Sequence, residues 1–112
     1  MERVSLTDSD PAEAADGVHL ALLAGTESIN VQHFEIEPGA VVDEHSHPHE
    51  QTGFICEGEL TFHVDGEAII CGPGDSYAIP TDELHAAENR DDKPVRGVDV
   101  FSPPRDNPNW QA

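Results

Sequence analysis

Positive charge is scarce in this chain. Among 112 residues there are 5 Lys and Arg against 23 Asp and Glu, a net charge of −18 with histidine neutral. Lys93 is the only lysine. Nucleic acid and anionic membrane surfaces both require a basic footprint, so neither is an expected partner. Long apolar runs are also missing. The longest, Leu20 to Ala24, falls far short of the roughly 20 residues that cross a bilayer. The opening stretch from Met1 to Asp8 has no basic start followed by an apolar run, so no signal peptide is expected and the expected location is cytoplasmic. Two cysteines, Cys56 and Cys71, make no disulfide framework. They are expected to be reduced, buried thiols, with one disulfide or a thiolate ligand as the alternatives. Beyond residue 17 there is no helical periodicity, and no internal repeat or low-complexity tract occurs.

What is present is a core. Hydrophobic residues are 37% of the chain and alternate regularly, which excludes a disordered acidic tail. The acidic surface points to a very salty cytoplasm, where a Debye length of about 3 Å at 1 M salt screens self-repulsion. An ordinary acidic mesophilic protein is the alternative. The length suits one domain. It divides into an acidic N-terminal segment (1–17), an all-β barrel (18–103) and an irregular C-terminal tail (104–112). In the first segment, Pro11 to Ala15 is expected to open a single helical turn with Asp10 as N-cap.

Short β-rich segments are predicted at His19–Leu23, Ser28–Glu37, Gly53–Cys56, Glu59–Val64, Glu67–Ile70, Ser76–Ile79, Leu84–Asn89 and Val95–Phe101. Glu37-Pro-Gly39, Asp65-Gly66 and the stretch from Cys71 to Asp75 are turn signals, and Asp65-Gly66 reads as a tight hairpin. About eight short strands imply a double-sheet sandwich or small barrel. Trp110, in the tail, is placed as a barrel cap or an oligomer contact.

The densest chemistry is His45-Ser-His47-Pro-His49-Glu50-Gln51. In an extended strand, residues two apart share a side, so His45, His47 and Gln51 can converge. His85, on a later segment, offers a third imidazole. Neutral imidazole is the commonest ligand of first-row transition metals, and three plus one oxygen leave positions open for chemistry. The competing reading is an exposed His/Glu turn. Glu50 should face away by parity, with a bulge that brings it in as the alternative, and His49, which shares parity with His47, is expected at the rim or behind the ligands, with ligation as the alternative. His19, His33 and His63 read as ordinary strand residues.

Two spaced motifs carry a resemblance. Gly39, His45, His47, Gln51 and Gly58 stand at the intervals of the first cupin motif. Gly74, Pro80, Asp82, His85 and Asn89 stand at those of the second. Over residues 26–103 the chain therefore resembles the cupin family, which implies a double-stranded β-helix, or jelly roll. It implies one divalent transition metal per chain (Zn, Ni, Fe, Mn or Cu) on His45, His47, Gln51 and His85, and a homodimer. Two positions depart from the usual pattern: Gln51 replaces Glu and Asp82 replaces Gly. A neutral Gln leaves a bound ion more positive, which favours an anionic substrate or a more acidic bound water.

A second stretch runs Gly97-Val-Asp99-Val-Phe101-Ser-Pro-Pro-Arg105. Asp99 and Phe101 share parity, and Arg105 follows a rigid Pro-Pro and suits bidentate recognition of a carboxylate. The structural alternative packs Val98 and Val100 inward, with Asp99 outside and Arg105 paired to surface acids. The stretch is similar to that of the KdgF group of pectin-degradation cupins, although the spacing from His47 to Gln51 is one residue shorter than theirs. That resemblance implies linearisation of 4,5-unsaturated uronates, with Asp99, Phe101 and Arg105 serving substrate and chemistry and a carboxylated sugar as the small-molecule partner. A metal-dependent dioxygenase, a sugar isomerase or epimerase, and a non-enzymatic small-molecule-binding cupin are the other readings, and a metal-free barrel is a further one.

Overall fold

Residues that alternate between apolar and polar form paired strands wherever turn residues separate them. In the computed structural model, which describes residues 1–105, ten strands follow a short 3-10 turn at Leu6–Asp8. They are β1 (Ala12–Ala15), β2 (Val18–Gly25), β3 (Asn30–Ile36), β4 (Val41–His45), β5 (Glu50–Glu57), β6 (Leu60–Val64), β7 (Glu67–Cys71), β8 (Ser76–Ile79), β9 (His85–Glu88) and β10 (Val95–Ser102). Trp110 lies outside the described residues.

Two antiparallel sheets result. One has six strands in the order β1-β2-β3-β10-β5-β8, and the other has four in the order β4-β9-β6-β7. Neighbours distant in sequence lie side by side, as in a double-stranded β-helix. Phe34, Ile36, Ile55 and Val95 from the larger sheet meet Leu60, Phe62 and Ala87 from the smaller one, and Val18, Ala40, Cys71 and Ile79 complete that core. The Asp65-Gly66 turn joins β6 to β7 with φ of 51° and 77°, the left-handed pair that a two-residue hairpin requires. Asn89 locks the far end of the barrel. Its Nδ2 donates to the carbonyls of Ile36 and Lys93, and its Oδ1 accepts from the Asp91 amide.

Several sequence expectations change. Residues 12–15 form a strand and not a helical turn. A lone turn of helix leaves most of its backbone groups unpaired, whereas pairing with β2 around Asp16-Gly17 engages them. Val41–His45 is a strand in its own right, because β9 supplies it with a partner. Cys71 is buried as expected, but Cys56 is exposed, since it faces outward from β5; both are free thiols.

Candidate active site

Each imidazole of the His cluster reaches it from a different backbone setting. His45 ends β4 and pairs with His85, the first residue of β9. His47 lies in the connection to β5, ahead of Pro48, so one continuous strand does not present His45 and His47 together as parity had implied. A turn does so instead. The Asp82 amide donates to the His47 carbonyl at 2.9 Å, which ties that connection to the loop before His85. Asp82 adopts φ of 61°, the region that glycine fills most easily.

The three rings gather closely, with centroids 4.3 Å apart for His45 and His85, 5.2 Å for His47 and His85, and 5.6 Å for His45 and His47. One nitrogen from each lies within 4.8 Å of the others. Each Nδ1 is engaged by a backbone carbonyl: His45 by Asp43 at 2.8 Å, His47 by His49 at 2.9 Å and His85 by Glu83 at 2.8 Å. An Nδ1–H that donates to a carbonyl leaves the Nε2 lone pair free, which is how proteins set the tautomer of metal-binding histidines. Gln51 Oε1 lies 3.1 Å from His47 Nε2. Two lone pairs at that distance repel unless a cation or a proton lies between them, so this donor set fits a divalent transition ion. Burial, with His45, His47 and Arg105 nearby, lowers the pKa of His85 and keeps its imidazole neutral, the form a ligand requires.

A cavity of about 500 Å³ opens beside the cluster. Its walls include His45, Gln51, His85, Asp99, Phe101 and Arg105, and its inner end is apolar, with Leu20, Phe34, Leu60 and Phe62. The register explains the arrangement. Across the larger sheet, one row runs Asn30, Phe101, Gln51, Ile79, and the next runs Gln32, Asp99, Gly53, Tyr77. Asp99 is thus buried, at 6% exposure, and Val98 and Val100 point the other way, which removes the reading with Asp99 outside. The Arg105 guanidinium lies 5.2 Å from the centre of the Phe101 ring, and its backbone amide donates to Asn30 Oδ1 at 2.7 Å. Its side chain therefore faces the cavity and not surface acids.

Tyr77 and Gly53 went unnoticed in the sequence. The Tyr77 hydroxyl donates to Asp99 Oδ1. Burial, then the Asp99 charge, pushes the phenol far up, so it remains a donor. A Cβ at position 53 would fall 2.2 Å from Tyr77 Cζ and 2.5 Å from Asp99 Oδ1, so only glycine lets the two side chains meet. A glycine inside a strand is the available signal for such a close approach. Burial raises the Asp99 carboxyl from 3.8 to about 6, although Tyr77, Gln51 and Arg105 all favour its ionised form.

The remaining residues are peripheral. His49 stands at the rim, its ring 5.7 Å from His47 and 6.2 Å from Phe101. Glu50 is exposed and faces away. His63 pairs with Glu88 on the outer face, and His19 lies 2.7 Å from Glu37 in an exposed group with Glu13.

The chain is similar to known proteins. A family model described as a cupin domain matches residues 32–101. The pectin degradation protein KdgF of Dickeya dadantii is 26% identical over 107 residues, covering 94% of this chain and 96% of that protein. The tetracenomycin polyketide synthase protein TcmJ of Streptomyces glaucescens is 29% identical over 106 residues, covering 90% of this chain and 71% of the other. The solved structure of KdgF from Halomonas sp. superposes with a TM-score of 0.86 at 25% identity, over 96% of this chain and 97% of that one.

Proposed function

This chain belongs to the Cupin_2 family of cupin domains, and on that premise we propose that it is a metal-dependent enzyme that opens and tautomerises a small 4,5-unsaturated uronate. One observation carries the reading: three histidines bring one nitrogen each within 4.8 Å of the others, and two of them, His45 and His85, line a cavity together with a buried carboxyl and a guanidinium. His45, His47, His85 and Gln51 would hold the ion, which supplies Lewis-acid polarisation of a substrate oxygen when bound. Arg105 clamps the substrate carboxylate through its planar fork. Asp99, raised towards neutrality by burial, takes the proton of the anomeric hydroxyl as the bond from the anomeric carbon to the ring oxygen breaks, and returns a proton to carbon 4 as the resulting enol becomes the open-chain ketone, a contribution of about 10²–10⁴-fold. Tyr77 fixes the orientation of Asp99, and Phe101 forms an apolar wall that restricts water. The similarity to two KdgF proteins supports the substrate class. The same reading carries a homodimer.

The apolar inner end of the cavity, together with the likeness to TcmJ, favours a second reading, in which the substrate is an aromatic, polyketide-derived molecule. One experiment separates the two. Unheated purified protein is analysed for metals and assayed for loss of the absorbance of a 4,5-unsaturated galacturonate. About one equivalent of a divalent transition metal and turnover that disappears in His45→Ala and His85→Ala are expected. Metal-loaded protein that leaves the unsaturated uronate untouched, but converts a phenolic polyketide analogue, overturns the first reading in favour of the second.

A further inference from the structure

Four buried polar side chains line the cavity: Gln32, Gln51, His85 and Asp99. Three of them have partners in the protein. Gln51 hydrogen-bonds Asp99, His85 meets the Glu83 carbonyl, and Asp99 also accepts from Tyr77. Gln32 differs. It is 2% exposed, and among the described residues its Oε1 has no hydrogen-bond partner. An unmatched buried acceptor opposes folding, so folding alone gives no reason for a glutamine here.

Position gives the reason. Gln32 is the direct cross-strand neighbour of Asp99, one strand spacing of about 4.8 Å away. It follows Asn30 by two residues on the same face of β3, and Asn30 holds the Arg105 backbone. The carboxamide therefore sits at the level of Asp99 and one residue pair, about 6.7 Å, from the point where Arg105 is anchored. We infer that Gln32 recognises a hydroxyl group of the substrate, so that the cavity takes hydroxylated carboxylates and discriminates against their deoxy forms. The orphan atom is an acceptor, and its partner must be a donor. A cationic donor would be repelled by Arg105 and by the ion that the His cluster suits, which leaves a neutral donor, and on a carboxylated sugar that donor is a hydroxyl. Arg105 then fixes the carboxylate, Gln32 a hydroxyl on the same ring, and the reacting carbon is presented to Asp99 between them. A site built to bond a hydroxyl rejects the analogue lacking it far more strongly than an apolar wall rejects a hydroxyl. The inference rests on the reading of the cavity as a carboxylate site.

The test uses two ligands of metal-loaded protein, measured by calorimetry. D-Galacturonate and tetrahydropyran-2-carboxylate share a six-membered ring and a carboxylate, and the second has no hydroxyls. Wild type is expected to bind galacturonate at least about tenfold more tightly. In Gln32→Leu that preference should fall by about tenfold or more, with the affinity for tetrahydropyran-2-carboxylate little changed and Tm equal or higher. Gln32→Met serves as a second variant if Gln32→Leu does not fold. A preference retained in the folded variant, or absent in wild type, overturns the inference. The outcomes also separate the two proposals. Discrimination through Gln32 without turnover of the unsaturated uronate removes the proposed reaction alone. Turnover with discrimination intact in the Gln32 variants removes the hydroxyl site alone.

Discussion

Asp99 is the residue at which burial and chemistry oppose each other. Burial outweighs the help of Tyr77, Gln51 and Arg105 and lifts the carboxyl from 3.8 to about 6. The folded protein thus binds this proton more tightly than the unfolded chain does. Its contribution to stability is complete below the unfolded value and is lost as pH rises through about 6. Asp99→Asn removes that loss. Metal-free Asp99→Asn is expected to be about 2–3 kcal/mol more stable than metal-free wild type above pH 7, with the gap closing below pH 4. Urea denaturation across that range measures it. The same variant should retain its metal and lose uronate turnover by about 10²–10⁴-fold. Full activity in Asp99→Asn would exclude it as the proton carrier. Asp82 offers a second check. Its φ of 61° strains any side chain, so Asp82→Gly is expected to be neutral or stabilising by up to ~1 kcal/mol, whereas Asp82→Val should lose more than 1 kcal/mol. Thermal melts distinguish the two.

At the scale of elements, strand register makes the cavity. The β3-β10-β5-β8 ladder lines up Gln32, Asp99, Gly53 and Tyr77 in one row, and slipping any strand by one residue would turn its member of that row outward. Gly53 is the narrowest point of the row. Gly53→Ala is expected to cost about 1–3 kcal/mol, because the new methyl group collides with the Tyr77 ring and displaces it from Asp99. Combined with Tyr77→Leu, the loss should be smaller than the sum of the single losses, since the second change removes the collision with the ring. Additive losses in a double-mutant cycle would show that the two side chains do not compete for one space. Much at this scale was legible beforehand. Asp65-Gly66, Glu37-Pro-Gly39 and the alternating runs located most strands, and the two spaced motifs gathered His45, His47, Gln51 and His85. The strand at 12–15 was not legible, because its alanines favour helix locally and only pairing with β2 overrides that preference.

For the molecule as a whole, the excess of 23 acidic over 5 basic residues sets the electrostatic behaviour. Self-repulsion opposes the compact state, and salt screens it. Tm is expected to rise by several degrees as KCl increases from about 0.05 to 2 M, as followed by circular dichroism, with most of the gain below about 0.5 M if screening is the cause. A Tm that falls over this range would contradict the reading of the charge as a salt adaptation. Among the described residues, no helix is long and apolar enough to cross a membrane.

The sequence by itself determined the alternation that makes strands, the turns that separate them, the surface charge, and the identity of the side chains that could bind an ion. These are local properties, fixed by residue type and spacing. Only the tertiary structure decided that Asp99 faces inward, that Tyr77 reaches it across Gly53, and that the Gln32 Oε1 beside it has no partner among the described residues. Those facts depend on pairing between strands far apart in the chain, and side chains that meet across a sheet leave no fixed interval in the sequence from which the meeting could be read.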